Sequence, residues 1–302
     1  IKQEISQAED APEDYVHDLF NLDYFKDHPL GRPICGRAET VSSFQREDFL
    51  SFVHNRYLPG RLIIAAAGHL SHEELVGEID RKLGGKNLES RNQSLEFNLG
   101  DSPKPQGGVF LHSKPMEQVH LCFGVAGIHQ SHRLRYAAYI LNTILGGGMS
   151  SRLFQEIREK RGRAYSVYSF LAPFTDVGYL GIYAGTSLEW VEEVADLILK
   201  EMRRLTEGEI REEELQRTKS QLVGNTILGL ESTDSWMSHI TRNEIYFGKA
   251  VSVEEISQEI RSVSLSDVTN LAREIFRPEG LVVSLLGDLK DGFKLQSLEI
   301  KN

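Results

Sequence analysis

Cysteine is scarce: Cys35 and Cys122 are the only two in 302 residues, and no Cys-x-x-Cys occurs. A disulfide framework is therefore excluded, and a reducing compartment, with a cytoplasmic location, is the expectation. Long apolar runs are missing too. The longest candidates, such as LIIAAAG (Leu62–Gly68), fall far short of a bilayer span. Positive charge is in deficit, with 34 Lys and Arg against 44 Asp and Glu and a net charge of -10. That argues against nucleic acid or an anionic membrane as partner, and mildly favours a basic peptide. A Gly-Lys-Ser/Thr is also absent. The glycines Gly146–Gly148 follow a helix and lack the lysine of a phosphate loop, which disfavours a nucleotide-dependent enzyme.

What is present reads as helices and strands partly segregated along the chain. Helical period covers Glu13–Phe25, Arg133–Leu145 and Ser151–Lys160, and Ser43 is placed to cap a helix over Arg46–Tyr57 that Pro59-Gly60 would stop. RLIIAAAG reads as a buried strand, and SHEELVGEIDRKLGG as a capped amphipathic helix. Val119, Leu121, Phe123 and Val125 alternate, as do Val177, Tyr179, Gly181 and Tyr183; strands are also expected at Ala164–Leu171 and in LVVSLLG. His112 and His120 are expected to bracket a hairpin. The class is α+β, in layers, not a doubly wound parallel sheet.

A repeat sets the expected architecture. DFLSFVHNRYLPGRLIIAAAGHL (Asp48–Leu70) lies without gaps over DVTNLAREIFRPEGLVVSLLGDL (Asp267–Leu289), an offset of 267 − 48 = 219. The chain is expected to hold two duplicated units, each a mostly antiparallel sheet packed with helices. Residues 1–85 would be the C-terminal part of a truncated first unit, 86–106 a polar, proline-bearing linker, and 107–302 a complete second unit.

Candidate site residues are few. Arg158 on a helix and Tyr165 at the start of a strand could face a cleft, hold a peptide carbonyl and stabilise an oxyanion. By themselves they read better as a solvated helix face and a core tyrosine. The ten histidines make no convincing zinc set; His129 and His132 form His-x-x-His without a third partner. Glu4 stands among Ile1, Ile5 and Ala8 at helical spacing, where a half-buried carboxylate needs a cation or partner.

Four segments, EISQAEDAPEDYVHD, HPLGRPICG, LPGRLIIAAAGHL and GGGMSSRLFQEIREKRGRAYSV, together resemble the pitrilysin/insulinase family of zinc metallopeptidases, and within it the mitochondrial processing peptidase and its bacterial relatives. The resemblance spans nearly the whole chain. It implies duplicated units facing each other across a cavity. The family's His-x-x-Glu-His signature is absent. The repeat places it ahead of Ile1, and Tyr139, Asn142 and Thr143 stand at the matching positions of the second, non-catalytic unit. By resemblance, Glu4 is the third zinc ligand, completing a site whose histidines lie upstream, and Arg158 and Tyr165 reach the substrate. The implied function is a zinc metalloendopeptidase acting on peptides or unfolded polypeptides, the residues 1–302 alone being inactive. The family's non-catalytic subunits and scaffolds are the alternative. A second copy of the chain, or its own N-terminal segment, is the expected protein partner.

Overall fold

The computed structural model describes residues 1–57, 62–83, 103, 105–290 and 292–296. The expected stop at Pro59-Gly60, the glycines closing the 72–83 helix and nearly all of the 86–106 linker lie outside them. Eleven α-helices and five strands are described: α1 (Lys2–Asp10), α2 (Pro12–Tyr24), α3 (Ala38–Ser43), α4 (Arg46–Arg56), α5 (His72–Leu83), β1 (Gly108–Ser113), β2 (Val119–Ala126), α6 (Arg135–Gly146), β3 (Ser166–Pro173), β4 (Gly178–Thr186), α7 (Val191–Thr206), α8 (Glu212–Gly229), α9 (Thr233–Phe247), α10 (Val253–Ser262), α11 (Leu265–Ile275) and β5 (Val282–Gly287). A π-helical turn at Phe154–Glu159 precedes β3.

The chain forms two compact units, one of residues 1–37, 102–223 and 257–302, the other of residues 38–101 and 224–256. This division gathers the first 37 residues with the sheet, where the repeat would assign them to the preceding unit.

The larger unit is built on one sheet of order β1-β5-β2-β4-β3. β1 runs parallel to β5 and every other pair is antiparallel. The expected β1–β2 hairpin is not formed. β5 inserts between them, because its apolar run VVSLLG needs a neighbour on both sides and is buried along its whole length.

Side-chain alternation gives the sheet two unlike faces. Val119, Leu121, Phe123 and Val125 of β2, Leu180, Ile182 and Ala184 of β4, and Val283 and Leu285 of β5 share one aliphatic core with α6, α7 and α11. The opposite face presents Cys122, Tyr179, Tyr183, Val282 and Leu286, packed against Val16, Phe20, Tyr24 and Phe25. α2 thus covers one face while three helices cover the other. Each fully buried apolar side chain contributes about 1.5–3 kcal/mol, so Val16, Phe20 and Phe25 are strong anchors. Phe20 fits because β2 has Gly124 beneath it: a Cβ there would sit 2.8 Å from Phe20 Cε2.

The smaller unit carries the first copy of the repeat. α4 and α11 coincide in bounds at the offset of 219, 46–56 against 265–275. Their N-terminal caps coincide as well. Asp48 Oδ2 accepts the Gln45 N–H at 2.8 Å, and Asp267 Oδ2 accepts the Ser264 N–H at 2.8 Å. Gln45, not Ser43, therefore precedes α4; Ser43 ends α3, its hydroxyl donating to the Thr40 carbonyl. Environment separates the copies. Val268, Leu271 and Ala272 of α11 are buried, whereas their counterparts Phe49, Phe52 and Val53 are 50–60% exposed. Residues 62–67 form no strand: their counterparts in β5 are held between β1 and β2, and among the described residues nothing pairs with them.

Candidate functional site

Arg158 lies in the π-helical turn Phe154–Glu159, which the short stretch Met149–Leu153 joins to the glycine run. The extra residue of a π-turn re-aims side chains relative to an α-helix and is frequent at functional sites. The turn is left through Gly162, whose φ of 63° an L side chain rarely adopts. Its N–H donates to the Arg158 carbonyl and that of Arg163 to the Ile157 carbonyl. Tyr165 then enters β3, its N–H donating to the Gly185 carbonyl at 2.9 Å.

The basic residues of this segment differ in how they are employed. Arg152 makes a two-pronged contact with Glu214, Nε at 3.0 Å and Nη2 at 2.7 Å. Lys160 and Arg161 both donate to Glu156, and these bonds hold its carboxyl down at about 2. Arg163 pairs with Glu193 at 2.9 Å and lies 3.5 Å over the Trp190 ring. Arg158 has no such carboxylate among the described residues; its guanidinium lies 5.1 Å over the Phe154 ring. It is exposed, and Tyr165 is 62% exposed, with no side-chain hydrogen bond among the described residues. Tyr165 is therefore not a core tyrosine.

Glu4 sits in the first turn of α1. Its carboxylate is 68% exposed. Of the apolar flank expected around it, Ile5 is buried, Ala8 is half-buried and Ile1 is 65% exposed. A carboxylate oxygen is a donor that zinc accepts. One carboxylate fits as a single ligand and not as a site, and among the described residues no group of three His, Cys, Asp or Glu could hold a metal.

At the positions matching the absent signature, Tyr139, Asn142 and Thr143 lie on α6. Thr143 Oγ1 donates to the Tyr139 carbonyl at 2.8 Å, and the Asn142 carbonyl accepts from Ser169 Oγ at 3.0 Å. These are structural uses. The glycine run is structural as well. A Cβ on Gly146 would lie 2.6 Å from Ser169 Oγ and nearer still to the Ser169 backbone nitrogen; on Gly147 it would lie 2.6 Å from Thr143 Cα. Gly146 is there to let α6 close onto β3, and Gly147 to let the chain leave α6 past Thr143.

A cleft of about 520 Å³ lies beside the π-turn, lined by Arg152, Glu156, Glu201, Arg204, Glu209 and Arg217 among others. Two of its arginines are matched internally, Arg152 with Glu214, and Arg204 with the buried Glu201 and with Glu209. Neither Arg158 nor Tyr165 lines it.

What sequence reasoning missed lies under α2. His112 Nε2 and Ser284 Oγ meet Asp23 Oδ2 at 2.8 and 2.6 Å, Tyr179 donates to Asn21 at 2.9 Å, and Tyr168 donates to Glu13 at 3.0 Å. Glu13, His17 and Asn21 recur at helical spacing of four beside the apolar Val16, Phe20 and Tyr24, which was the available signal.

Known proteins were compared with the chain. A family model described as the peptidase M16 inactive domain matches residues 43–222. The uncharacterized zinc protease YmxG of Bacillus subtilis is 37% identical over 276 residues, 91% of this chain and 66% of its own length. The uncharacterized zinc protease SCO5738 of Streptomyces coelicolor is 38% identical over 296 residues, 96% of this chain and 64% of its own. The chain thus spans just under two thirds of the length of these relatives. A crystal structure of a peptidase M16 inactive domain from Pseudomonas fluorescens superposes with a TM-score of 0.83 at 20% identity, covering 94% of this chain and 68% of that one. At that identity the likeness carries the fold alone.

Proposed function

Because the chain belongs to the peptidase M16 family, we propose that in full-length form it is a zinc metalloendopeptidase acting on peptides or unfolded polypeptides, and that this chain supplies Glu4, Arg158 and Tyr165 to the site. The two histidines and the general base would come from the part of its relatives' length that the chain does not span. Exposure of Phe49, Phe52, Val53, Ile63 and Ile64, whose counterparts are buried, fits a further segment packing on that face.

The observation that carries the reading is selective pairing. Among the basic side chains from Arg152 to Arg163, Arg158 alone is left without a carboxylate among the described residues, and Tyr165 beyond it holds its phenol to solvent. Both are available to a substrate. The Arg158 guanidinium would hold a backbone carbonyl of the bound peptide. The Tyr165 hydroxyl would donate to the scissile carbonyl oxygen as negative charge develops on it. Glu4 would hold zinc through a carboxylate oxygen; bound zinc supplies an activated water at neutral pH.

Elemental analysis of protein expressed from the full reading frame tests this. About one zinc per chain, lost on Glu4→Gln, is expected. Tyr165→Phe should keep the zinc and the fold but reduce turnover of an unfolded polypeptide on the order of 10²-fold. Protein without zinc, under conditions where a control metallopeptidase retains it, would instead favour a non-catalytic scaffold.

A further inference from the structure

A hydrogen-bonded chain crosses from α2 to β3, and its polarity follows from proton counting. Tyr168 gives its single phenolic proton to Glu13 Oε1 at 3.0 Å. Its oxygen lies 3.1 Å from His17 Nε2, so that nitrogen must carry a proton and donate. Nδ1 is then the acceptor, and it faces the Cys122 thiol at 3.9 Å. The run is Cys122 to His17 to Tyr168 to Glu13, with a neutral imidazole in one tautomer. Burial lowers the His17 pKa, against the pull of Glu13 and Asp14, and raises that of the Cys122 thiol, so both groups are kept in the forms the chain requires.

The apolar docking of α2 does not need these bonds. Val16, Phe20, Tyr24 and Phe25 bury it, and its far end is tied by Asn21 and Asp23. What the bonds add is direction at the near end, the turn adjoining α1. Ala11 alone separates α1 from α2, which opens at Pro12, with the Ala11 N–H donating to the Ala8 carbonyl and the Tyr15 N–H to the Ala11 carbonyl. Lys114 secures the same corner, donating to the Glu9 carbonyl. Tyr168 lies three residues beyond Tyr165 on the strand that Tyr165 enters.

We propose that Glu13, His17 and Tyr168 are positioning residues: they lock the first two turns of α2 to β3, and so hold the Glu4 carboxylate of α1 in fixed register with Tyr165. This rests on the zinc reading of Glu4. Groups that orient a metal ligand from outside its coordination sphere commonly govern affinity by one to two orders of magnitude.

The test is the zinc Kd of the full-length protein, measured by chelator competition, with the thermal midpoint recorded alongside. Tyr168→Phe keeps the ring and removes both bonds. It is expected to weaken zinc about tenfold and to lower kcat with KM unchanged, while the midpoint moves by no more than a few degrees. Glu13→Gln keeps an oxygen to accept the phenolic proton and should retain most of the affinity, whereas Glu13→Ala should not. Zinc bound as tightly by Tyr168→Phe as by the wild type overturns the proposal. So does a loss of affinity matched by unfolding, or an equal loss in Glu13→Gln and Glu13→Ala. A wild type that binds no zinc overturns the proposed function, and this inference with it.

Discussion

Alanine at Gly146 is expected to cost about 2–3 kcal/mol, and alanine at Gly148 almost nothing. A Cβ at Gly146 would stand 2.6 Å from Ser169 Oγ and nearer still to that residue's backbone nitrogen. Backbone cannot swing aside as a side-chain tip can, so either α6 or β3 must move. Overpacking a filled interior costs about 1–3 kcal/mol, and a backbone neighbour places Gly146 in the upper part of that range. At Gly148 the nearest atom would be Gln221 Nε2 at 3.9 Å, an ordinary contact. Urea unfolding followed by circular dichroism, at matched m-values, reads the difference. In a thermal melt Gly146→Ala should lose roughly 5–10 °C. A Gly146→Ala protein as stable as wild type would refute the close-packing account of the glycine run, as would a Gly148→Ala protein equally destabilised.

Arg152→Ala should cost about 3 kcal/mol by the same urea assay, since it strips a two-pronged partner from Glu214 and a neighbour from the 2% exposed Glu201. Arg158→Ala, six residues on, should change stability by less than about 0.5 kcal/mol, because the exposed guanidinium holds no carboxylate. Lowering the pH from 7 to 5 should lower the thermal midpoint. Burial depresses the folded pKa of His17 and of His120, so their contribution is complete above the unfolded value near 6.5 and is lost as pH falls below it toward the folded values. The titratable groups facing His17 are Glu13, Asp14, Tyr168, Tyr183 and Cys122, and the carboxylates held low, Glu73, Glu156 and Asp267, lose their contribution only in more acid solution. His17→Gln should flatten the pH 5–7 slope; an unchanged slope in that variant would count against the burial argument.

Periodicity was a good guide wherever one face of an element is buried. The alternation at Val119–Val125 marks the aliphatic face of β2, and that at Val177–Tyr183 marks the α2 face of β4, so the two patterns describe opposite sides of one sheet. Strand order was not legible, because neighbours are chosen by long-range packing: nothing local says that VVSLLG should separate β1 from β2. The segment 62–67 has the same apolar pattern as β5 and forms no strand, since a ladder needs a second chain segment as well as a propensity. Arg158 and Tyr165 were singled out by resemblance and not by their residue types, and that Arg158 alone of the basic residues around it lacks a carboxylate among the described residues required the partners to be seen. The ladder beneath α2 was hidden because its members sit on five different elements.

The position of β5 has a consequence for synthesis. Among the described residues β1 pairs with β5 alone, so from the moment residues 108–113 are made they wait for that partner until residues 282–287 follow. β2 waits over the same interval with one edge bare. Asp23, made still earlier, meets Ser284 only across a separation of 261 residues. Contacts so distant in sequence slow folding and leave unpaired strand edges open to other chains meanwhile. An interior strand of the sheet, with a neighbour on either side, is thus the last of the five to be made, and a nascent chain released before Val282 would expose β1 and the edge of β2 together.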